Sequence, residues 1–461
     1  MGLLNKIFII VFTAVLFCSS AGADSDLRQL TFSSSDRILV IAPHPDDEAI
    51  GAAGVIQEAV RLNIPVRILY LTNGDSNSLS FIYYKKRPVI TSAQALEMGK
   101  LRQNEAVEAM KFLGLEEKDL IFLGYPDYGI LNLFKKYWKA RKPYRSILTR
   151  VTEVPYPLSL TPGAAYEPQS ILDDYIKVLR DFKPTKIFVT HPADVNRDHQ
   201  AAHLFLKVSL WKLEGEIDPD VYNFFIHATG WPRPLGLKSH LRLDPSGKLD
   251  FQGNEWFNFE LSPQQLDRKK DVIRYYRTQI PYKPKYLYTF VRANEVFSQI
   301  TELELHSENL NAESWAANEK EQKTCLQGGC LSDRHATVLR SVVYTLNPEY
   351  LNLKIRLNQW PRRGFSVDLY MFGFNKGTSF EEMPKLHVQF NGDMNAAVWD
   401  GASYLRGTGT RISRQGNDVF VSIPLELIQR PQKILGSVVV RMDHLPLENS
   451  AWTVMGLNYD L

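Results

Sequence analysis

Residues 37–51, RILVIAPHPDDEAIG, join a β-rich run to a helical pattern through a short polar segment. The run 37–43 is apolar and lacks the alternation of a half-exposed strand, which is typical of a strand buried on both faces of a parallel sheet. A helical pattern follows at 48–61. Because ligands bind outside the carboxyl ends of parallel strands, we expect the polar segment at the functional edge of the sheet.

The same alternation of strand and helix patterns continues to about residue 279. Further strands are predicted at 66–72, 120–126 and 186–192, and further helices at 96–113, 169–182, 198–213 and 261–279. An irregular, aromatic-rich insertion occupies 128–167. The pattern predicts an α/β fold with a Rossmann-like, mostly parallel sheet and helices on both faces.

The chain changes character after this region. Residues 300–335 are polar and predict a linker or loop region, and residues 336–461 show short alternating strands that predict a β-sandwich domain. Four aromatic residues lie among these strands: Trp360, Trp399, Tyr404 and Trp452. Such rings can stack on sugars, so carbohydrate binding is one prediction, and packing within or between domains is the other.

Composition excludes several classes of protein. The chain has 461 residues, of which 44% are hydrophobic and 23% charged, with a formal net charge of +3. These values exclude a disordered chain, a collagen-like fibre and a disulfide-dense miniprotein. The near-neutral charge gives no sign of a nucleic-acid partner. At about 150 residues per domain, the length predicts two to three domains.

Residues 1–23 have the layout of a secretory signal peptide. Lys6 precedes the apolar run 7–17, and the small residues Ala-Gly-Ala close the segment. The run is too short to span a bilayer comfortably, although an uncleaved membrane anchor is the alternative. A lipoprotein is disfavoured because bulky Phe17 precedes Cys18. We therefore expect an exported protein, periplasmic or extracellular, with no transmembrane span in the mature chain.

Export also bears on the remaining cysteines. Cys325 and Cys330 flank a Gly-Gly pair. In an oxidising compartment this spacing predicts a local disulfide. A metal site with two cysteines is the alternative, but no further cysteine completes a tetrahedral set.

The polar segment after the first strand is the strongest chemical feature. His44, Asp46, Asp47 and Glu48 lie within five consecutive positions at a strand-to-helix junction. One aspartate alone would be explained as a helix cap. Several carboxylates packed with a histidine are costly unless a cation offsets their repulsion. The cluster therefore predicts a metal-binding or catalytic site.

A second cluster follows the strand predicted at 186–192. The segment 190–203, THPADVNRDHQAAH, offers three histidines and two aspartates: His191, Asp194, Asp198, His199 and His203. His199 and His203 are one helical turn apart, so both can face the same side. A catalytic zinc takes three protein ligands and one open position. Together the two clusters can supply that set.

Five motifs in order give the chain a family resemblance: PHPDDE (43–48), TNGD (72–75), RQNEAVEAMKFLG (102–114), LGYPD (123–127) and NRDH (196–199). They resemble the LmbE/PIG-L family of zinc-dependent de-N-acetylases over about residues 36–299. The resemblance implies a deacetylase domain at 24–299, Zn2+ or another divalent metal as cofactor, and an N-acetylglucosamine-type sugar in a glycan or glycoconjugate as substrate. Residues beyond 299 lie outside this resemblance.

The resemblance also implies roles for individual residues. His44, Asp47 and His199 would bind the metal. Asp46 would act as the general base on a water activated by the metal, and would then return the proton to the departing amine. Asp198 would accept a hydrogen bond that orients a histidine ring.

One position departs from the family pattern. Several members carry a histidine three positions before the metal-binding histidine, where this chain has Asn196, which can donate a hydrogen bond but supplies no proton. His191 or His203 could take that role, and the sequence does not choose between them. Arg102 and Asp75 match motif positions and are predicted to contact substrate hydroxyls; a helix-surface charge or a turn cap is the alternative for each.

The leading hypothesis is thus an exported zinc amidohydrolase that removes acetyl groups from an amino sugar. The alternative is a catalytically weak glycan-binding surface protein, which Asn196 and the insertion at 128–167 keep open. A nucleotide-binding Rossmann enzyme is disfavoured. No glycine-rich phosphate loop follows the first strand, and the carboxylates there would repel a pyrophosphate.

Overall fold

The computed structural model describes residues 27–86, 89–245, 249, 254–307, 326–327, 339–360, 364–442 and 445–459. The predicted signal peptide at 1–23 and the predicted disulfide between Cys325 and Cys330 lie outside the described residues, so both stay predictions. Within the described ranges, no helix is both long and apolar enough to cross a membrane.

The first part of the chain builds an eight-stranded sheet. In chain order its strands are β1 (Arg28–Gln29), β2 (Ile38–Ala42), β3 (Val66–Thr72), β4 (Leu120–Tyr125), β5 (Lys186–Thr190), β6 (Asp220–Phe224), β7 (Asn254–Glu260) and β8 (Asn294–Ile300). Their spatial order is β1-β7-β8-β6-β5-β2-β3-β4. The run from β6 to β4 is parallel, whereas β8 is antiparallel to both β6 and β7. The predicted mostly parallel sheet is confirmed.

Among the described residues, the α-helices that accompany this sheet are α1 (Asp47–Arg61), α2 (Ser78–Lys85), α3 (Ser92–Leu113), α4 (Ile130–Lys136), α5 (Pro168–Phe182), α6 (Arg197–Lys212), α7 (Pro263–Val272) and α8 (Pro284–Leu287). Helices α1, α3 and α7 pack together, and α6 packs with α4 and α5. Strand β2 lies between two hydrophobic clusters, one on each face of the sheet. Val40 joins the hydrophobic cluster on one face, while Leu39 and Ile41 join the cluster on the other. The strand is buried on both faces, as predicted.

Two predictions for this part need correction. The helix predicted at 261–279 ends at Val272 and is followed by a 3-10 turn, although Ser262 and Gln265 form the expected capping box. Residues 276–279 therefore turn inward instead of continuing the helix. The insertion at 128–167 is not irregular throughout, because it contains α4.

The rest of the described chain is mainly β-structure. Its strands are β9 (Leu303–His306), β10 (Leu326–Gln327), β11 (Leu339–Leu346), β12 (Tyr350–Leu357), β13 (Phe365–Phe374), β14 (Lys385–Asn391), β15 (Ala397–Asp400), β16 (Ser403–Leu405), β17 (Arg411–Gln415), β18 (Asp418–Pro424), β19 (Lys433–Met442), β20 (Leu445–Ser450) and β21 (Thr453–Asn458). They form a nine-stranded sheet and a four-stranded sheet, the latter in the order β11-β12-β18-β17.

These two sheets face each other across one hydrophobic cluster. Leu353 and Val421 of the smaller sheet share it with Leu369 and Val438 of the larger sheet. The predicted β-sandwich is confirmed. Strand β9 lies within the segment 300–335 that the sequence predicts as a linker, yet it pairs in parallel with β21 inside the larger sheet.

The outer face of the larger sheet packs against the α/β part. The ring of Phe134 in α4 lies 5.6 Å from that of Phe372 and 6.2 Å from that of Trp452, centroid to centroid. Trp452 is 5% exposed and joins this interface. Its prediction as a sugar-stacking ring is therefore wrong, because neighbouring side chains cover it.

The other three aromatic residues of that prediction have different surroundings. The guanidinium of Arg414 lies over the Trp360 ring at 3.8 Å. Trp399 and Tyr404 are cross-strand partners on β15 and β16, and Tyr404 is 55% exposed. Carbohydrate binding by the Trp399–Tyr404 pair stays a prediction.

Candidate metal centre and active site

Three side chains from two distant loops converge at the carboxyl ends of the parallel strands. His44 and Asp47 follow β2, and His199 lies in the first turn of α6, after β5. Oδ2 of Asp47 is 3.2 Å from Nδ1 of His44 and 3.2 Å from Nε2 of His199. The two nitrogens are themselves 3.2 Å apart. The three donor atoms form a nearly equilateral triangle, which we name the ligand triangle.

The ligand triangle has the size that a divalent metal requires. Nitrogen and oxygen ligands about 2.0–2.2 Å from a tetrahedral zinc lie roughly 3.3–3.5 Å from one another. Two imidazoles with one carboxylate are a ligand set of catalytic zinc sites, which keep a fourth position open. The residues present therefore fit a divalent cation.

Neighbouring carboxylates set the proton positions of both imidazoles. Nδ1 of His199 lies 3.2 Å from Oδ2 of Asp194. Nε2 of His44 lies 3.2 Å from Oδ1 of Asp127 and 3.5 Å from Oδ2 of Asp198. Since a carboxylate accepts hydrogen bonds, it favours a proton on the nitrogen that faces it. The opposite nitrogens then present lone pairs to the ligand triangle.

Asp198 also fixes the start of the insertion. Its two oxygens accept hydrogen bonds from the backbone N–H groups of Tyr128 and Ile130, at 2.6 and 3.1 Å. The ring that it faces is that of His44, whereas Asp194 takes the same place beside His199. Asp127 lies in the LGYPD motif and Asp194 in the second cluster, but the sequence did not identify them as the partners of these rings.

Asp46 occupies a strained position beside the ligand triangle. Its backbone φ is 129°, in the region that favours glycine, and its side chain makes no capping hydrogen bond to α1. The capping explanation for Asp46 is therefore wrong. Such strain in a non-glycine residue is concentrated at functional sites. Burial raises the pKa of Asp46 to about 8; Arg102 opposes this shift and Asp47 adds to it.

Arg102 holds the loop that carries Asp46. Its Nη2 donates to the carbonyl of Pro45 at 2.7 Å and lies 3.2 Å from Oδ1 of Asp46, while Nη1 donates to the carbonyl of Gly74 at 2.9 Å. The side chain is only 4% exposed. The alternative of a helix-surface charge is therefore wrong for Arg102.

Glu48 supports the same loop through hydrogen bonds. This buried carboxylate accepts hydrogen bonds from the backbone N–H of Asp46 at 3.0 Å, from the hydroxyl of Tyr70 at 2.8 Å and from the hydroxyl of Tyr276. Burial raises the pKa of Glu48 to about 7, although these hydrogen bonds oppose the shift. Tyr276 reaches Glu48 because the chain turns inward after α7.

An open cavity of about 830 Å3 lies over the ligand triangle. A polar group of its lining residues, which we name the polar flank, comprises Ser76, Asn77, Arg102, Asp127 and Gln279. Two hydrogen bonds lie within it: Ser76 N–H donates to Asp127 at 2.8 Å, and the Asn77 amide donates to Gln279 at 3.1 Å.

A second group of lining residues, which we name the apolar flank, comprises Val195, Ile226, His227, Tyr286 and Leu287. The Tyr286 hydroxyl donates to the carbonyl of Ile226 and lies 3.1 Å from Nδ1 of His227. The ring of His227 lies 4.9 Å from that of His199, centroid to centroid. No motif marked His227, since it arrives on a separate loop after β6 and no nearby acid in the sequence signals it.

The remaining predicted residues divide between the cavity and the protein interior. Asn196 lines the cavity, where its Oδ1 accepts the Asp198 N–H as the N-cap of α6. Asp75 is not among the described residues that line it, and the hydroxyl of Tyr156 donates to its carboxylate at 2.6 Å. Burial raises the pKa of Asp75 to about 7. Direct contact with substrate hydroxyls is therefore not the role this position supports.

His191 and His203 are likewise absent from the described lining of the cavity. His191 stacks on Phe225 at 4.2 Å and accepts the Ala193 N–H at 2.9 Å. His203 is buried, and burial lowers its pKa well below the usual range. Neither is placed to replace the family histidine that is missing at Asn196, whereas His227 lines the same cavity as Asn196.

Comparison with known proteins agrees with the geometry. The family model described as PIG-L, GlcNAc-PI de-N-acetylase, matches residues 39–209. The probable N-acetyl-alpha-D-glucosaminyl L-malate deacetylase 2 of Bacillus subtilis is 30% identical over 88 residues, which are 19% of this chain. The match spans only 40% of that relative's length.

Two solved structures are similar to this chain at low identity. The N,N'-diacetylchitobiose deacetylase from Pyrococcus horikoshii is 17% identical, with 58% of this chain and 84% of that chain covered and a TM-score of 0.36. The A40926 pseudoaglycone deacetylase Dbv21 is 16% identical, with 58% and 97% covered and a TM-score of 0.37. The family match spans both loops of the ligand triangle, and the chain therefore contains a PIG-L (LmbE) family domain.

Proposed function

We propose that this protein is a metal-dependent hydrolase that removes the N-acetyl group from an N-acetylglucosamine-type sugar in a glycan or glycoconjugate. The observation that carries the proposal is the ligand triangle with the Asp46 carboxylate beside it, at the base of an open cavity. The description of the matching family and the name of the Bacillus relative support this type of substrate.

His44, Asp47 and His199 would hold the metal, and their ligand set favours zinc. When bound, such an ion polarises an amide carbonyl and lowers the pKa of water. The carboxylates behind both imidazoles keep the rings in the tautomers that bind a cation, which strengthens the site.

Asp46 is the proton carrier of this proposal. Its carboxylate accepts a proton from the attacking water and delivers it to the nitrogen that leaves as the amine. A buried carboxyl whose pKa lies near neutral is suited to both steps. Arg102 and Glu48 fix its position from two sides.

The polar flank is the proposed place of the sugar. Its guanidinium, carboxylate and amide groups match the hydroxyls of a saccharide. The carboxylate and the amides are ordered by hydrogen bonds within the flank, and the guanidinium by hydrogen bonds to the carbonyls of Pro45 and Gly74. Export to the periplasm or the exterior is also part of the proposal. It depends on the pattern of residues 1–23.

The test is acetate release from N-acetylglucosamine glycosides by metal-loaded protein. Asp46→Asn should lower kcat by at least about 100-fold, a typical loss for a general base, while the protein keeps its metal. Asp218→Asn, at an exposed carboxylate, is the matched control. Full activity of Asp46→Asn, or activity that persists after the metal is removed by a chelator, would contradict the proposal.

A further inference from the structure

The mouth of the cavity carries a different set of side chains from its interior. A described residue that lines the cavity and is also exposed lies at the mouth, and the residues of this kind are either large and apolar or cationic. The apolar ones are 48%, 55%, 61% and 49% exposed, in the order Leu79, Tyr128, Ile147 and Val195. The cationic ones are Arg197 and Lys283. Among the described lining residues, no carboxylate is exposed.

Local structure holds Ile147 out towards the solvent. Its neighbours Ser146 and Thr149 are buried. The Ser146 N–H donates to the carbonyl of Val151 at 3.0 Å, and the Arg150 N–H donates to the carbonyl of Ser146 at 3.2 Å. The loop is thus closed by its own backbone with an isoleucine exposed at its surface. Exposed apolar side chains gathered at one place are typical of an interaction site.

The surface next to the mouth is basic. Residues 128–152, which include Tyr128 and Ile147, contain seven Lys or Arg and no Asp or Glu. Exposed cations of this segment that form no ion pair within the described part of the chain are Lys136, Arg141, Lys142 and Arg150. Arg197 and Lys283 at the mouth have no carboxylate partner there either. Positive charge therefore lies outside the cavity, where it complements an anionic partner.

We propose that the mouth of the cavity is a docking surface for an anionic lipid bilayer. Exposed aliphatic side chains beside lysines and arginines are the combination that binds a membrane interface, because the apolar groups enter the acyl boundary while the cations meet lipid phosphates. A hydrated anionic polysaccharide offers no apolar layer to Leu79, Ile147 and Val195, so these residues favour lipid. The inference goes beyond the proposed function and does not depend on it, since no step of catalysis enters it.

The experiment measures co-sedimentation of the purified, full-length protein with lipid vesicles. Vesicles of phosphatidylglycerol and phosphatidylcholine in equal amounts should bind it at least about tenfold more tightly than pure phosphatidylcholine, and added salt should weaken the binding. The double variant Arg150→Gln/Lys283→Gln should lower the affinity for the anionic vesicles by about tenfold. Ile147→Ser should lower it by about fivefold, because an apolar contact with the bilayer is lost.

Matched controls replace similar side chains elsewhere. Lys111 and Lys212 are exposed in the last turns of α3 and α6, which lead back to the opposite edge of the sheet from the cavity. Lys111→Gln/Lys212→Gln should bind like the wild type. Tyr404→Ser should do the same, since Tyr404 is 55% exposed but is not among the described residues that line the cavity.

Amide hydrogen exchange locates the contact independently of any binding by the apolar segment 7–17, which every variant carries. Anionic vesicles should slow exchange in α2 and in residues 145–150, and should leave the end of α3 unchanged. Equal losses of affinity in the mouth variants and the controls, or no protection of residues 145–150, would overturn the proposal. Binding to the anionic polysaccharide polygalacturonate without binding to the anionic vesicles would also overturn it, and would identify a glycan as the partner.

Discussion

Oδ2 of Asp194 lies 3.2 Å from Nδ1 of His199. The same oxygen accepts the backbone N–H groups of Ile226 at 3.0 Å and His227 at 2.8 Å. One buried carboxylate therefore positions a candidate metal ligand and the loop that forms the apolar flank. This arrangement explains why the loop after β6 belongs to the site although no motif marks it.

The first prediction concerns this carboxylate. Asp194→Asn should weaken metal binding by about 10- to 100-fold, because a neutral amide stabilises the proton on Nδ1 of His199 less than a carboxylate does. A competition titration of the metal-free protein against a chromophoric chelator measures the affinity. Asp218→Asn serves as the exposed control. Equal affinities for Asp194→Asn and the wild type would show that the carboxylate does not support the ligand.

The second prediction concerns Gly74, which lies beneath Arg102. A Cβ atom at Gly74 would lie 1.9 Å from Nη1 of Arg102. Gly74→Ala should displace the guanidinium from Asp46 and lower kcat/KM by about tenfold or more, with the metal content unchanged. The matched control is Gly163→Ala, since both glycines have positive φ but a Cβ at Gly163 meets no atom within 4 Å. Equal losses in the two variants would attribute the effect to the backbone alone.

The third prediction follows from the backbone strain at Asp46. Asp46→Gly should be more stable than Asp46→Ala by roughly 1–3 kcal/mol and should unfold at a higher temperature. The reason is that glycine adopts a φ of 129° without strain. Scanning calorimetry of the metal-free proteins measures the difference. Asp173, an exposed residue of α5, is the control position. There the alanine variant should be more stable than the glycine variant, because glycine destabilises a helix relative to alanine. A less stable Asp46→Gly would mean that the strain is not present in the folded protein.

The fourth prediction concerns pH and the β-sandwich. Burial acts to raise the pKa of Asp368, but hydrogen bonds from His387 and Arg441 outweigh it and lower the pKa from 3.8 to about 2. A carboxyl whose pKa is lower in the folded than in the unfolded chain stabilises the folded state at any pH above its pKa in the unfolded chain. That stability disappears as the pH falls from about 4 towards 2. After allowance for partial solvent screening, the contribution is about 1–2 kcal/mol.

The Tm of the wild type should therefore fall between pH 4 and pH 2 as the Asp368 carboxyl becomes protonated. Asp368→Asn should start from a lower Tm at pH 7 and lose that part of the pH dependence. Asp173→Asn is the exposed comparison. If Asp368→Asn kept the full acid dependence of the wild type, another group would be responsible.

Sequence reasoning could place the two polar clusters at one edge of the sheet, and the family resemblance then indicated which of their residues would be ligands. His44 and Asp47 are neighbours in the chain, and His199 follows another strand of the same parallel sheet, so both loops had to meet at one edge. The buried strand β2 was equally predictable, since its continuous apolar run has no polar face.

The apolar flank was not predictable in this way. Ile226, His227 and Leu287 come from two further loops, and their side chains are ordinary in the sequence. Their role depends on how α8 and the loop after β6 pack against His199. The antiparallel strands β7 and β8 were missed for the same reason, because their position is set by tertiary packing.

The aromatic residues of the β-sandwich illustrate a further limit. Trp452 and Tyr404 look alike in the sequence, as single rings among alternating strands. One lies in the interface with α4 and the other is exposed, because the register of the sheet and the docking of the α/β part decide their environment. Residue type alone therefore could not separate packing from a binding surface.

We expect His44, Asp47 and His199 to hold one divalent ion between them. Metal analysis combined with X-ray absorption at the metal edge measures this on the purified, full-length protein. It should find one ion per chain, with two imidazole nitrogens and a carboxylate oxygen among its ligands, and loss of that ion in both His44→Ala and His199→Ala. A wild type that binds no ion, or an ion retained in both variants, would contradict it.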